Sequence, residues 1–167
     1  MFDNIKDFKR IVISGPQRSG TRIIAKAIAM DTEKTYIDEK EINFHDFRLL
    51  EWYLHKDNVV IQCPGLCHKL HEISTNLTLI LLVRRPVEEI IASENRIGWP
   101  DISRNQELSK YGYSTGIISR IKYEFWDTYQ KSLLGDKAGE FNYNDIKKHP
   151  LFIEDRKIFK WDQTVNL

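Results

Sequence analysis

Gly15 and Gly20 enclose four residues, Pro16, Gln17, Arg18 and Ser19, and Thr21 and Arg22 follow. The apolar run at residues 11–13 just before them reads as a buried parallel strand. After them Ile23, Ile24, Ala27 and Ile28 share one face at helical spacing. Strand, glycine loop and helix together aim backbone N–H groups and a helix N-terminus at an anion. Gly15 to Arg22 therefore read as a phosphate cradle. A second cationic pair, Arg84 and Arg85, ends the longest apolar run (residues 77–83), and Ser93 follows on the next segment. Pro86, Glu88 and Glu89 mark the start of a helix there. Three carboxylates, Asp38, Glu39 and Glu41, follow a short strand expected near Tyr36 and Ile37. Residues just past a strand's carboxyl end face the ligand crevice in a doubly wound sheet, so one of these carboxylates is a candidate base, Glu39 first.

The loop departs from the nucleotide-hydrolase form, Gly-x4-Gly-Lys-Ser/Thr. Thr21 stands at the lysine position and Arg22 at the position of the magnesium-binding hydroxyl. A guanidinium repels a cation rather than ligating it. No buried strand ends in the aspartate that a magnesium-dependent nucleotide enzyme would use. The pattern implies a polyanion held by arginines, with no metal in the site.

The segment from Gly15 to Arg22 resembles the 5′-phosphosulfate loop of the sulfotransferases, and its Gly-Pro-Gln opening is similar to their carbohydrate-modifying branch. Arg84-Arg85-Pro86 with Ser93 resembles that family's 3′-phosphate motif; the family's eight-residue spacing from arginine to serine fits Arg85, and Ser93 is nine after Arg84. Residues 140–146 loosely resemble its late Tyr-Glu-Asp-Leu segment. The resemblance implies 3′-phosphoadenosine 5′-phosphosulfate (PAPS) as donor and a sulfuryl transfer to a hydroxyl or amine, on a carbohydrate or small-molecule acceptor. Gly15, Pro16, Gln17, Ser19, Gly20, Thr21 and Arg22 would hold the phosphosulfate. Arg18 would hold it too and stabilise charge on the bridging oxygen. Arg84, Arg85 and Ser93 would hold the 3′-phosphate, and Glu39 would be the base. Where the family commonly ends a strand in lysine, sometimes with a histidine base beside it, this chain has Gln62 and Cys63. Two alternatives share the scaffold: a P-loop nucleotide kinase or hydrolase, and a non-catalytic nucleotide-binding module.

The elements that position these residues are expected to form one α/β domain over residues 1–167. The expected fold is a three-layer sandwich around a parallel sheet of four or five strands, P-loop nucleotide-hydrolase-like and specifically sulfotransferase-like. The 167 residues, 41% hydrophobic, suffice for one core. A net charge of +1 gives no global basic field for nucleic acid. No apolar run approaches a membrane span, the N-terminus is polar, and two cysteines do not make a disulfide scaffold, so a soluble cytoplasmic protein is expected. Cys63, Cys67, His68 and His71 crowd one short stretch; a strand end and short helix with Leu66, Leu70 and Ile73 inward is preferred to a zinc site. Residues 45–56 read as an amphipathic helix with Phe47, Leu50 and Leu54 inward, and 58–62 as a strand. Ile117, Ile118, Ile121, Phe125 and Tyr129 form a stripe expected in the core. Residues 98–100 and 111–116 are candidate cover for a ligand, and Arg156, Lys157 and Lys160 a late source of positive charge.

Overall fold

The computed structural model describes residues 1–73, 76–97 and 115–159. Five parallel strands form one sheet in the order β2-β3-β1-β4-β5: β1 (Arg10–Ser14), β2 (Thr35–Ile37), β3 (Val59–Gln62), β4 (Thr78–Arg84) and β5 (Ala138–Asn142). The three central strands are buried almost end to end, as unbroken apolar runs require in a sheet covered on both faces. Alternation sorts their side chains. Ile11, Ile13, Val60, Leu79, Leu81 and Val83 face α1 (Thr21–Thr32) and α6 (Pro150–Phe159). Val12, Val59, Ile61, Ile80 and Leu82 face α2 (Phe47–Leu54), the 3-10 segment Pro64–Glu72, α3 (Val87–Arg96) and α4 (Thr115–Phe125). The result is the three-layer α/β sandwich expected.

The second face carries a correction. Ile117, Ile121 and Tyr129 are 38%, 49% and 46% exposed, so the expected apolar stripe does not enter the core. Gly116, Ser119, Tyr123, Trp126 and Gln130 turn inward instead. The reason lies in what α4 covers. At the carboxyl end of the sheet, backbone groups of Val83, Arg85 and Cys67 need partners, and a buried polar group without one is costly. The Tyr123 hydroxyl lies 3.2 Å from the carbonyls of Val83 and Arg85 and accepts from Arg85 N–H at 3.0 Å. A π-helical turn, Trp126–Gln130, then brings Gln130 Nε2 to donate to Cys67 O at 2.9 Å, before α5 (Lys131–Leu134). Among the described residues no helix is long and apolar enough to cross a membrane.

Candidate phosphate-binding site

β1 ends at Ser14, and the chain turns sharply at Gly15. A Cβ at Gly15 would stand 2.8 Å from Ser19 Oγ and 3.0 Å from Val83 O, so the loop closes on itself only with glycine there. Arg18 is left-handed at φ 64°, a conformation that costs a non-glycine residue and is kept only where the surroundings hold it. Gly20, at φ 98°, starts α1 without a side-chain cap, leaving the first-turn N–H groups pointing out of the helix. Ser19 is fully buried, and its Oγ has no hydrogen-bond partner among the described residues. A partnerless buried hydroxyl beside the open N-terminus of a 12-residue helix is chemistry suited to an anion.

The cations gather on this loop as one cluster where the sequence suggested two. Arg85 donates from its guanidinium to Arg18 O at 3.0 Å, which holds the left-handed turn. Its Cζ stacks 4.1 Å from the Tyr143 ring centroid, and its Nε pairs with Glu89 at 3.1 Å. Arg18 Nε donates to Ser93 Oγ on α3 at 3.3 Å. Burial, then the charges of Arg96 and Arg85, push the Arg18 pKa down from its ordinary value. It remains a cation, since arginine starts so high. Arg18, Arg85 and Ser93 are therefore brought together.

Arg84 is placed elsewhere. It ends β4 with its guanidinium bonded to Asp127 and Glu140 and its Cζ 4.9 Å from the Tyr123 ring centroid. Arg85, one residue past the end of β4, turns instead to Arg18 O and the Tyr143 ring, so the two guanidiniums have different partners. Of the two arginines that the sequence offered for one phosphate, Arg85 lies against the loop at Arg18 O, and Arg84 is engaged by Asp127 and Glu140.

On the other side of the loop the carboxylates meet α1. Arg22 Nε lies 3.3 Å from Asp38 Oδ2, and its Nη2 lies 3.5 Å from Glu39 Oε1. Burial raises the Asp38 pKa, but the Lys40 N–H, the Tyr36 hydroxyl and Arg22 outweigh it and hold the carboxyl below its ordinary value. Burial, then the bond to Asp38, pushes the Tyr36 phenol well above its usual range, so it stays a donor. Gln62 ties this side to the loop. Its amide nitrogen donates to Thr21 Oγ1 at 3.1 Å, and its oxygen accepts from Glu39 N–H at 3.4 Å and lies 3.2 Å from the Tyr36 hydroxyl. Sequence reasoning counted Gln62 only as a missing cation. A polar residue closing a buried strand was the available signal that it bridges. Lys122 of α4, whose Nζ donates to Gln17 Oε1 at 2.7 Å, gave no signal.

Cys63 and Cys67 are buried free thiols, both pushed up by burial, and Leu66, Leu70 and Ile73 pack around them. His71 lies against Phe125 and Tyr129 at the Gln130 amide. Candidate cover at 98–100 and 111–114 lies outside the described residues, as do the side chains of Arg156, Lys157 and Lys160.

No protein-family model matches the chain, and no curated protein matches it in sequence. Solved structures do match its architecture. A shikimate kinase from Acinetobacter baumannii in complex with shikimate superposes with a TM-score of 0.56 over 96% of this chain and 96% of that one, at 12% identity. A shikimate kinase from Bacteroides thetaiotaomicron gives 0.57 over 91% of this chain and 98% of its own, at 13% identity. What is shared at such identity is the fold. These matches correct the assignment of the chain as a PAPS-dependent sulfotransferase, because the proteins whose architecture it shares nearly end to end are kinases. The fold is a five-stranded parallel α/β sandwich, shared with these two structures.

Proposed function

We propose that the chain binds the phosphates of a nucleoside triphosphate in the 15–22 loop and transfers the terminal phosphoryl group to a hydroxyl of a small-molecule acceptor. The observation that carries this is the convergence of Arg18, Arg85, the open start of α1 and the partnerless Ser19 hydroxyl on one loop. One cluster suits one phosphate chain better than two phosphates at opposite ends of a nucleotide. In the transfer, the acceptor oxygen bonds to the terminal phosphorus and the bridging oxygen leaves with the electron pair as nucleoside diphosphate. Glu39 takes the acceptor's proton. Arg18 and Arg85 balance charge on the phosphoryl oxygens, the electrostatic contribution that dominates such reactions.

Magnesium is held in P-loop enzymes by the hydroxyl that follows the loop lysine. Arg22 takes that place, and its guanidinium already faces Asp38 and Glu39. This donor set does not fit a protein-held magnesium at the loop.

The pairing of Arg22 with both carboxylates also favours a second reading, a binding module without turnover, since it engages the groups a base would come from. Calorimetric titration with ATP, with and without magnesium, followed by measurement of ADP formed against a panel of hydroxyl acceptors, separates the readings. Binding with acceptor-dependent ADP supports transfer, and binding without it against every acceptor supports the module. Tighter binding of adenosine 3′,5′-bisphosphate than of ATP overturns the triphosphate reading.

A further inference from the structure

The loop is one charge short. Thr21, at the lysine position of nucleotide-hydrolysing loops, is buried and bonded to the Gln62 amide, so it supplies no cation. A cation arrives from another element. Lys122 reaches across 105 positions of sequence to place its ammonium 2.7 Å from Gln17 Oε1.

This approach is held by the fold. Tyr123, the next residue, is fixed to the strand end through Val83 and Arg85. One π-helical turn further on, fully buried Gln130 is fixed to Cys67 O and accepts from His71 N–H at 3.3 Å. Between these anchors α4 has one register, and that register aims Lys122 at the loop. Gln17 reaches toward α4 while its neighbour Arg18 reaches toward α3, so the loop touches two helices and receives the Lys122 cation from one of them.

We propose that Lys122 is the loop's displaced phosphate lysine: its ammonium, resting on Gln17 in the free protein, binds the terminal phosphate of the nucleotide. This rests on the nucleotide reading above. It makes the ligand a di- or triphosphate in preference to a monophosphate, because the extra cation recognises the chain's far end.

The test is calorimetric titration of ATP and AMP into the wild type and Lys122→Gln, Lys122→Met, Lys122→Arg and Arg18→Ala variants at two salt concentrations, with a thermal melt of each. Lys122→Gln keeps an N–H toward Gln17 and removes only the charge, so it serves if Lys122→Met does not fold. The expected result is ATP binding weaker by roughly ten- to a hundredfold in Lys122→Gln. AMP binding changes by less than about threefold, the salt dependence of ATP binding becomes shallower, and Lys122→Arg recovers most of the affinity. If Lys122→Gln binds ATP like the wild type while Arg18→Ala does not, Lys122 is only a tether and the nucleotide site stands. Equal losses for ATP and AMP overturn the terminal-phosphate role. A wild type that binds no ATP overturns the nucleotide reading, and the role of Lys122 with it.

Discussion

Replacing Arg85 by methionine tests the site where fold and ligand meet. The side chain is 14% exposed and makes three contacts: Arg18 O at 3.0 Å, the Tyr143 ring at 4.1 Å and Glu89 at 3.1 Å. A charged donor on a partly buried carbonyl contributes about 1.5–3 kcal/mol. The stacked ring adds about 0.5–1 kcal/mol. The pair with Glu89, one helical turn away and 40% exposed, adds no more than about 0.5 kcal/mol. Against these stands the repulsion from Arg18, which methionine removes; we set it at about 1 kcal/mol for a partly screened pair. The net loss is about 2 kcal/mol, which in a chain of this size lowers the melting midpoint by about 4–8 °C. The same substitution removes a cation from the anion site and the support of the left-handed Arg18, so ATP affinity falls by roughly ten- to a hundredfold. Arg85→Lys keeps the charge but loses the planar fork that reaches Arg18 O while stacking on Tyr143, and it falls between. Calorimetric titration and a thermal melt on the same preparations read both effects. Should Arg85→Met melt earlier as expected yet bind ATP within twofold of the wild type, the arginine braces the loop and faces no ligand. Arg18 and Arg85 would then not share an anion.

Three other outcomes follow from the same geometry. Gly20→Ala combines a φ of 98° with a Cβ 2.3 Å from the Tyr143 ring, so urea unfolding should show a loss of at least about 2 kcal/mol; Gly135→Ala, with a φ of 58° and open space around it, should cost about 1 kcal/mol. Equal costs would show that the ring simply moves aside. Glu39→Gln should leave ATP binding within about threefold and lower acceptor-dependent turnover by roughly a hundredfold or more; equal turnover would remove Glu39 as the base. The Glu140 carboxyl is held at about 2, below its ordinary 4.5, first by the Arg84 hydrogen bond, with Lys131 and Trp126 adding to it. Its folded-state pKa is depressed, so it stabilises the protein above about pH 5, and that contribution is lost as pH falls from there toward 2. Solvent screening at a side chain still 30% exposed limits it to about 1 kcal/mol. The advantage of the wild type over Glu140→Gln in urea unfolding should be present at pH 6 and gone near pH 2; an advantage unchanged at low pH would refute the assignment.

The parts of this molecule legible in the sequence are those dictated by local backbone and by period. Gly15 and Gly20 sit where the chain needs conformations or approaches that a side chain forbids, and that requirement is written at the positions themselves. The strands were legible because burial on both faces leaves unbroken apolar runs at 11–13, 59–61 and 79–83. Partner choice was not. Arg84 and Arg85 are the same residue type one position apart, and what separates them is where Asp127 and Glu140 lie, 43 and 56 positions away. The reading of α4 failed for a related reason. A hydrophobic period finds the face that meets a core, but α4 covers the polar ends of strands, where a tyrosine hydroxyl and a glutamine amide satisfy backbone groups that an isoleucine would leave bare. The same inversion explains the loop's chemistry. A lysine inside a P-loop is visible as a motif because loop and charge are contiguous, whereas here the ammonium at Gln17 comes from a helix whose register is set by Tyr123 and Gln130. A motif search tests only whether charge is adjacent in sequence, while a phosphate responds to whether it is adjacent in space.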